Sequence, residues 1–421
     1  MAPLHPLPEF AIVAMAPTID REGHDDQRTS CNIDMITDAY DTASGGSGRA
    51  VRPSRLIATY RISATAGTIE ERASAIAIEQ SVEAPLAAVR DPRVRADIVG
   101  ETLRIAECGE GRFDVDIALS AATIGNDAGQ LMNMLFGNTS LHDDVALVDV
   151  ALPLELVVAF GGPSQGLAGL RRRVGAERRA VTASALKPQG LTPAALAELA
   201  YDLALGGLDF IKDDHGLADQ SFSPFEARVT ACAAAVRKAA KATGHPTCYV
   251  PSLSGDRNAM ESQIAIAEGE GLDTFLIAPA VAGVSTLQAL RAAHRGLAFL
   301  AHPTLTGARV APEVYARLFR LFGADASIFP NYGGRFGFSE TTCRRIAQAL
   351  REPWFSVAPA APAPAGGMSL QRVPEMLDFY GGDVMLLIGG ALLAAEEGER
   401  VAATREFVRA VAAHEYGAID A

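Results

Sequence analysis

Gly206-Gly-Leu-Asp-Phe-Ile-Lys-Asp-Asp-His215 is the stretch on which the reading of this chain turns. Small and apolar residues lead into a lysine, two carboxylates and an imidazole, and Gly216 follows at once. The pattern predicts a short buried strand that stops where the charges begin. Lys212, Asp213, Asp214 and His215 would be costly to bury unpaired, at roughly 2 kcal/mol or more even for neutral polar groups. At the C-terminal end of a strand they suit the mouth of an α/β fold, where ligands bind. Taken alone, the four residues also fit a solvated strand-to-loop junction.

Working outward, buried-looking strands recur, each followed by a helix-forming stretch. The strand candidates are Ala180–Leu186, Leu208–Ile211, Thr247–Pro251, Thr274–Ile277, Leu297–Ala301, Ala326–Phe329, Phe355–Ala358 and Val384–Ile388. Alanine-, leucine- and glutamate-rich segments separate them. Eight β-then-α units predict a (β/α)8 barrel over residues 166–421, since a doubly wound sheet rarely keeps such even units to eight. Upstream, Arg55–Ile62 and Arg112–Ala118 alternate like strands. The segment Thr68–Glu79 carries a threonine N-cap and a glutamate three residues on, a capping-box signature. Gln130–Phe136 looks helical, and Val145–Val158 returns to β character. Residues 53–165 therefore read as a small α+β, ferredoxin-like domain. Residues 1–52 mix Pro, Gly, Ser and Asp and read as a poorly ordered extension.

A barrel places its chemistry just past its strands. Strand one ends at Lys187, strand two at Lys212-Asp-Asp-His215, and strand five at His302. Strands seven and eight lead into Gly366-Gly367 and Gly389-Gly390, where barrels commonly cradle a phosphate on backbone N–H groups. Glycine pairs also serve plain turns. Asp214 and its neighbours offer hard ligands for Mg²⁺, and His215 would suit Mn²⁺ better. Lys187 is a candidate proton shuttle or phosphate anchor. His302 is a candidate proton carrier or an ordinary barrel-rim histidine.

Composition narrows the classes. A net charge of −13 over 421 residues argues against a nucleic-acid surface, though not against an anionic substrate. Five scattered cysteines suggest neither a disulfide framework nor a zinc site, and a reducing cytoplasm is expected. The first ten residues lack a secretory signal pattern, and Val384–Ala395 is too short to span a bilayer.

From about residue 55 onward the chain resembles the RuBisCO large-chain superfamily, and its RuBisCO-like members more than a true carboxylase. Gly206–Asp214 is the most specific element. The resemblance implies that Lys212 becomes a carbamate and binds Mg²⁺ with Asp214 and the position held by His215, which is acidic in the carboxylases. Ala185-Leu-Lys-Pro188 resembles the strand-one signature, with Lys187 as catalytic acid or base, but the second lysine of that signature is Gln189 here. His302 matches the strand-five histidine, with Pro303 in place of an arginine. The strand-six histidine and serine are missing around Ile328-Phe-Pro330, Arg335 lies near the place of a mobile-loop lysine, and Ala365 replaces a serine before Gly366. Glu79 and Phe136-Gly-Asn138 resemble residues that reach into a partner's active site, which implies a homodimer with shared sites. Ala84 stands where a threonine would follow Glu79.

Gln189, Pro303, Phe329 and Ala365 together remove groups that grip a bisphosphate, so CO₂ fixation is not expected. What the resemblance leaves is enolisation of a phosphorylated keto sugar or keto acid. The first expectation is Mg²⁺-dependent decarboxylation of a 3-oxo sugar-acid phosphate of the 3-oxo-isoapionate 4-phosphate type. The alternatives are a methionine-salvage step, either enolisation of 2,3-diketo-5-methylthiopentyl 1-phosphate or isomerisation of 5-methylthioribulose 1-phosphate, with Phe329 lining a methylthio slot. A transcarboxylase or hydrolase, and a non-catalytic scaffold, complete the set.

Overall fold

The computed structural model describes residues 53–416 except 308, 335 and 397, so the expected extension and Arg335 lie outside the described residues. The N-terminal part is a four-stranded antiparallel sheet of β1 (Arg55–Ser63), β2 (Glu101–Gly109), β3 (Arg112–Ser120) and β4 (Val145–Ala151), ordered β2-β3-β1-β4. One helix, Ile69–Glu79, follows β1 and another, Ala128–Phe136, follows β3. This is the expected ferredoxin-like arrangement. Alternation in β1 explains the layering: Leu56, Ala58, Tyr60 and Ile62 join the core with Ile76 and Leu135. Thr59 and Arg61 face the other way and pair with Asp116 and Asp114 of β3.

Three local expectations give way here. β2 was not anticipated, because its exposed charged residues recur at every third position, without a strand's alternation, and none of its residues is buried. The Val145–Val158 segment breaks after Ala151, and Leu154–Phe160 is a helix that starts behind Pro153. The capping box does not form: the Thr68 side chain makes no cap bond and instead meets Thr65 Oγ1 at 2.9 Å.

Eight parallel strands form the second unit: β5 (Val181–Leu186), β6 (Phe210–Asp213), β7 (Cys248–Val250), β8 (Thr274–Ile277), β9 (Ala298–Ala301), β10 (Ala326–Pro330), β11 (Ala361–Ala365) and β12 (Met385–Leu387). Their order is β7-β6-β5-β12-β11-β10-β9-β8, and a bridge between Ser252 and Leu276 closes the ring. Period-two alternation sorts the side chains into an inner cluster and an outer one. Val181, Ala183, Phe210, Val250, Leu276, Leu300, Ile328, Ala363 and Leu387 fill the lumen. The intervening residues, such as Ile211, Tyr249 and Phe299, pack outward under the helices. The helix Gly166–Val174 closes the floor through Leu167, Leu170 and Val174. Asp325 pins its start by accepting from the N–H groups of Gln165 (2.8 Å) and Gly166 (2.6 Å).

The seventh strand is Ala361–Ala365, not Phe355–Ala358, where Trp354 and Val357 form an isolated bridge and Phe355 takes a positive φ of 47°. Pro362 and Pro364 have no N–H to donate. The strand pairs with β10 over five residues but with β12 only at Ala365↔Leu387.

β6 also differs from expectation. Gly206 and Gly207 end the preceding helix, and the strand runs on through Lys212 and Asp213, both buried. Asp213 stays inside because it is fully partnered. Its carboxylate accepts from Arg228 Nε (3.0 Å), Tyr249 OH (2.8 Å) and the Ser252 N–H (3.1 Å). Arg228, on the helix Phe225–Thr243, is itself wholly buried.

The two units meet along β4, where the Leu147 N–H bonds to the Arg309 carbonyl at 2.8 Å and Arg317 Nη1 reaches Asp149 at 3.0 Å. No helix among the described residues is long and apolar enough to cross a membrane. Cys108, Cys232, Cys248 and Cys343 are free thiols.

Arg228→Met strands the Asp213 carboxylate and should cost about 3–5 kcal/mol in denaturant unfolding. A second change, Asp213→Leu, should recover part of that loss. A single variant as stable as the parent would show that the pair does not hold the end of β6.

Candidate active site

The residues two and four positions beyond the lumen layer face the barrel mouth. β5 gives Ala185 and then Lys187, β6 gives Lys212 and then Asp214, β7 gives Ser252, β8 gives Ala278 and β9 gives His302. β10 to β12 give Pro330, Ala365 and Gly389. The polar groups therefore collect on one arc, and the three strands that complete the ring bring only small or apolar residues.

On the polar arc, Lys187 Nζ lies 2.8 Å from Asp214 Oδ1, and His215 Nδ1 lies 3.4 Å from the same oxygen. The His215 ring stacks on His302, with centroids 4.1 Å apart and planes inclined by 11°. His302 Nδ1 is 2.6 Å from Thr304 Oγ1. Lys212 Nζ donates to the Asp213 carbonyl at 2.9 Å. Thus Lys187, Lys212, Asp214, His215 and His302 lie together at the mouth. Thr304 was missed, although it lies only two residues beyond His302.

The electrostatics follow from burial and crowding. Burial, together with the Lys187 charge, pulls the Lys212 amine down to about 8 in spite of the attraction of Asp214. Burial pushes the Asp214 carboxyl up, but hydrogen bonds from His215 and Lys187 and the Lys212 charge win and hold it well below the carboxylate range. Burial, then Lys212 and His215, drive the His302 imidazole down to about 3.

Other expected residues sort differently. Gly366 and Gly367 both take left-handed φ, at 78° and 68°. A side chain on Gly366, Gly389 or Gly390 would meet nothing within 4 Å, so their backbone faces open space. Gly367 has a packing reason to be glycine, since a Cβ there would lie 2.6 Å from Gly334 Cα. Glu79 and Asn138 are brought together, with Asn138 Nδ2 2.9 Å from Glu79 Oε1 and 3.0 Å from Glu83 Oε1. Among the described residues neither bonds to the mouth of its own barrel. Phe329 points away from the mouth: it belongs to the outer cluster and meets Tyr380 edge-on at 6.1 Å, so it lines no methylthio slot there. The Gln189 side chain lies against Gly216, where a Cβ would overlap its Nε2.

A metal can be tested against these donors. Among the described residues no three His, Cys, Asp or Glu side chains cluster to hold an ion. The mouth offers one carboxylate, two imidazoles and two amines, too few oxygens for a hard octahedral cation. Lys212 lies beside Asp214 closely enough for each charge to shift the other. A carbamate on its Nζ would replace the repelling ammonium with a second anionic oxygen ligand. With that modification Lys212, Asp214 and His215 fit Mg²⁺, and the imidazole favours Mn²⁺.

The model of the ribulose bisphosphate carboxylase large chain, catalytic domain, matches residues 166–335. A 5-methylthioribulose-1-phosphate isomerase of Rhodospirillum rubrum is 57% identical over 85% of this chain and 96% of its own. A 2,3-diketo-5-methylthiopentyl-1-phosphate enolase of Geobacillus kaustophilus is 32% identical over 71% of this chain and 78% of its own. The crystal structure of a Rubisco-like protein from Rhodopseudomonas palustris superposes with a TM-score of 0.80 at 50% identity, covering 86% of this chain and 98% of that one. The chain belongs to the RuBisCO large-chain superfamily, as one of its RuBisCO-like proteins.

Because burial lowers His302 from the ordinary value of 6.5 to about 3, its ring should stay neutral from pH 8 down to 5. Its imidazole C–H signals, assigned by their loss in His302→Asn, should not move over that range in an NMR titration. Movement centred near pH 6.5 would contradict the buried, crowded environment described for it.

Proposed function

We propose that this protein isomerises a phosphorylated methylthio ketose, of the 5-methylthioribulose 1-phosphate type, by way of an enediolate. The observation that carries this reading is the 57% identity to the Rhodospirillum rubrum isomerase. The mouth supports it. A 3-oxo sugar acid brings a carboxylate that calls for a further cationic partner, and Pro330, Ala365 and Gly389 offer none. The isomerase therefore replaces the decarboxylase as the preferred activity. Diketone enolisation, the activity of the relative at 32% identity, uses the same proton abstraction and stands second.

In the proposed reaction a base takes a proton from a carbon beside the carbonyl, and the electron pair moves onto the carbonyl oxygen. A proton then returns to the other carbon. No atom is gained or lost, and no redox cofactor is consumed. Lys187 Nζ carries the proton; without the cation it pairs with Asp214 at 2.8 Å. His302 engages Thr304 through Nδ1, which leaves Nε2 for a substrate oxygen. Lys212 is modified when its amine attacks CO₂, forming a C–N bond and releasing a proton. With Asp214 and His215 it would then hold Mg²⁺ or Mn²⁺. The cation, when bound, supplies positive charge for the enediolate oxygen. Gly366, Gly389 and Gly390 receive the phosphate on backbone N–H groups, and Gly367 supports that turn. Glu79 and Asn138 complete the site of a partner copy in a homodimer.

In D₂O with Mg²⁺ or Mn²⁺, 5-methylthioribulose 1-phosphate should gain deuterium beside its carbonyl and convert to an isomer, followed by ¹H and ³¹P NMR. Lys187→Ala and Lys212→Ala should each slow this by roughly 10²-fold or more. CO₂ release from a 3-oxo sugar-acid phosphate, with no exchange into the methylthio ketose phosphate, would reverse the assignment.

A further inference from the structure

Two loops border the uncharged arc of the mouth, one after β10 and one after β11, and a single side chain ties them together. Arg372 Nη1 donates to the carbonyl of Tyr332 at 3.3 Å, in the first loop, and to that of Gly367 at 3.2 Å, in the second. Its Nε and Nη2 bind Glu375 as a fork, at 3.0 and 2.9 Å. Glu375 Oε1 also accepts from Tyr332 OH at 2.8 Å, and the guanidinium carbon lies 5.1 Å from the centre of the Tyr332 ring. The backbones beneath are as close as glycine allows: a Cβ on Gly334 would lie 3.0 Å from the Gly366 carbonyl oxygen. The Asn331 N–H closes the seam on the Ala365 carbonyl at 2.9 Å.

Arg372 thus spends all three guanidinium nitrogens on the protein. An arginine that served as a direct phosphate ligand would leave a fork edge for the anion. Here Glu375 takes the Nε–Nη2 edge, and the remaining Nη1 goes to two carbonyls. One of those carbonyls belongs to Gly367, the packed neighbour of Gly366, whose own backbone faces open space.

We propose that Arg372, held by Glu375, is a positioning residue: it locks the loop after β10 against the Gly366-Gly367 turn and so fixes the backbone N–H groups that take the substrate phosphate. This rests on the phosphate reading of that turn. In this structure the two loops form one clamped unit, which makes the phosphate subsite preformed.

The test is calorimetric titration of inorganic phosphate into the intact protein, with kcat and KM for the phosphorylated ketose alongside. Arg372→Gln should weaken phosphate binding and raise KM by roughly tenfold, the equivalent of losing one charge-assisted contact, with kcat within a few-fold of the parent. Glu375→Gln separates a latch from a ligand. It removes a negative charge and frees the arginine, so a direct phosphate ligand would bind the anion more tightly. The latch requires weaker binding, by several-fold, and Arg372→Lys should fail to restore it because ammonium lacks the fork. Unchanged or tighter phosphate binding in Glu375→Gln would overturn the proposal. Gly366→Val tests the underlying reading separately. If it leaves phosphate affinity unchanged, the cradle is elsewhere. If it weakens binding while Arg372→Gln does not, only the latch fails.

Discussion

The site depends on how β6 is held at its last residues. Alternation sends Lys212 and Asp214 toward the mouth only if Asp213 points outward, and an outward Asp213 is a carboxylate beneath the helix layer. That is tolerable because Arg228, Tyr249 and the Ser252 N–H all meet it. Without those partners, desolvation would favour a strand that stops early, and the two inward residues would lose their common register. The buried pair therefore acts less as a source of net stability than as a constraint on which side chains face the lumen.

Given that register, the electrostatics of the mouth are largely determined. A chain with a net charge of −13 gathers two lysines, one carboxylate and two stacked imidazoles on one arc. Local charge, not the overall balance, sets what can bind there. The opposite arc carries no charge among its described strand-end residues. Of the four positions whose bisphosphate-gripping groups are lost, Phe329 and Ala365 belong to that side, and Gln189 and Pro303 to the polar one. A polar, proton-handling half beside a small half whose glycines offer backbone N–H groups suits a substrate with a single phosphate.

The legible parts of the sequence were those with a strong periodic signal. Seven barrel strands were located to within two or three residues because apolar runs alternate with long helical segments. The seventh was displaced because Ala361-Pro-Ala-Pro-Ala365 has no β-branched residue, while the nearby Phe355–Ala358 does look like a strand. Leu154–Phe160 misled for the converse reason: its valines favour a strand, but Pro153 and tertiary packing make it a helix. Within the site, Lys187, Lys212, Asp214, His215 and His302 were legible because each sits at a strand end. Asp213–Arg228 was not, since nothing in the spacing pairs a strand residue with one fifteen positions on. Phe329 was misassigned because its face depends on register, which one residue reverses. Arg372 escaped notice entirely, as its role exists only where two loops come together.

The central claim is that Lys212 is modified and shares a cation with Asp214. A crystal structure of the protein grown with bicarbonate and Mg²⁺ tests it most directly. The account predicts density for a carboxylate continuing beyond Lys212 Nζ, a cation bound between it and Asp214, and Lys187 released from its contact with Asp214. A bare amine still bonded to the Asp213 carbonyl, with Lys187 still on Asp214 and no cation at either, would contradict it.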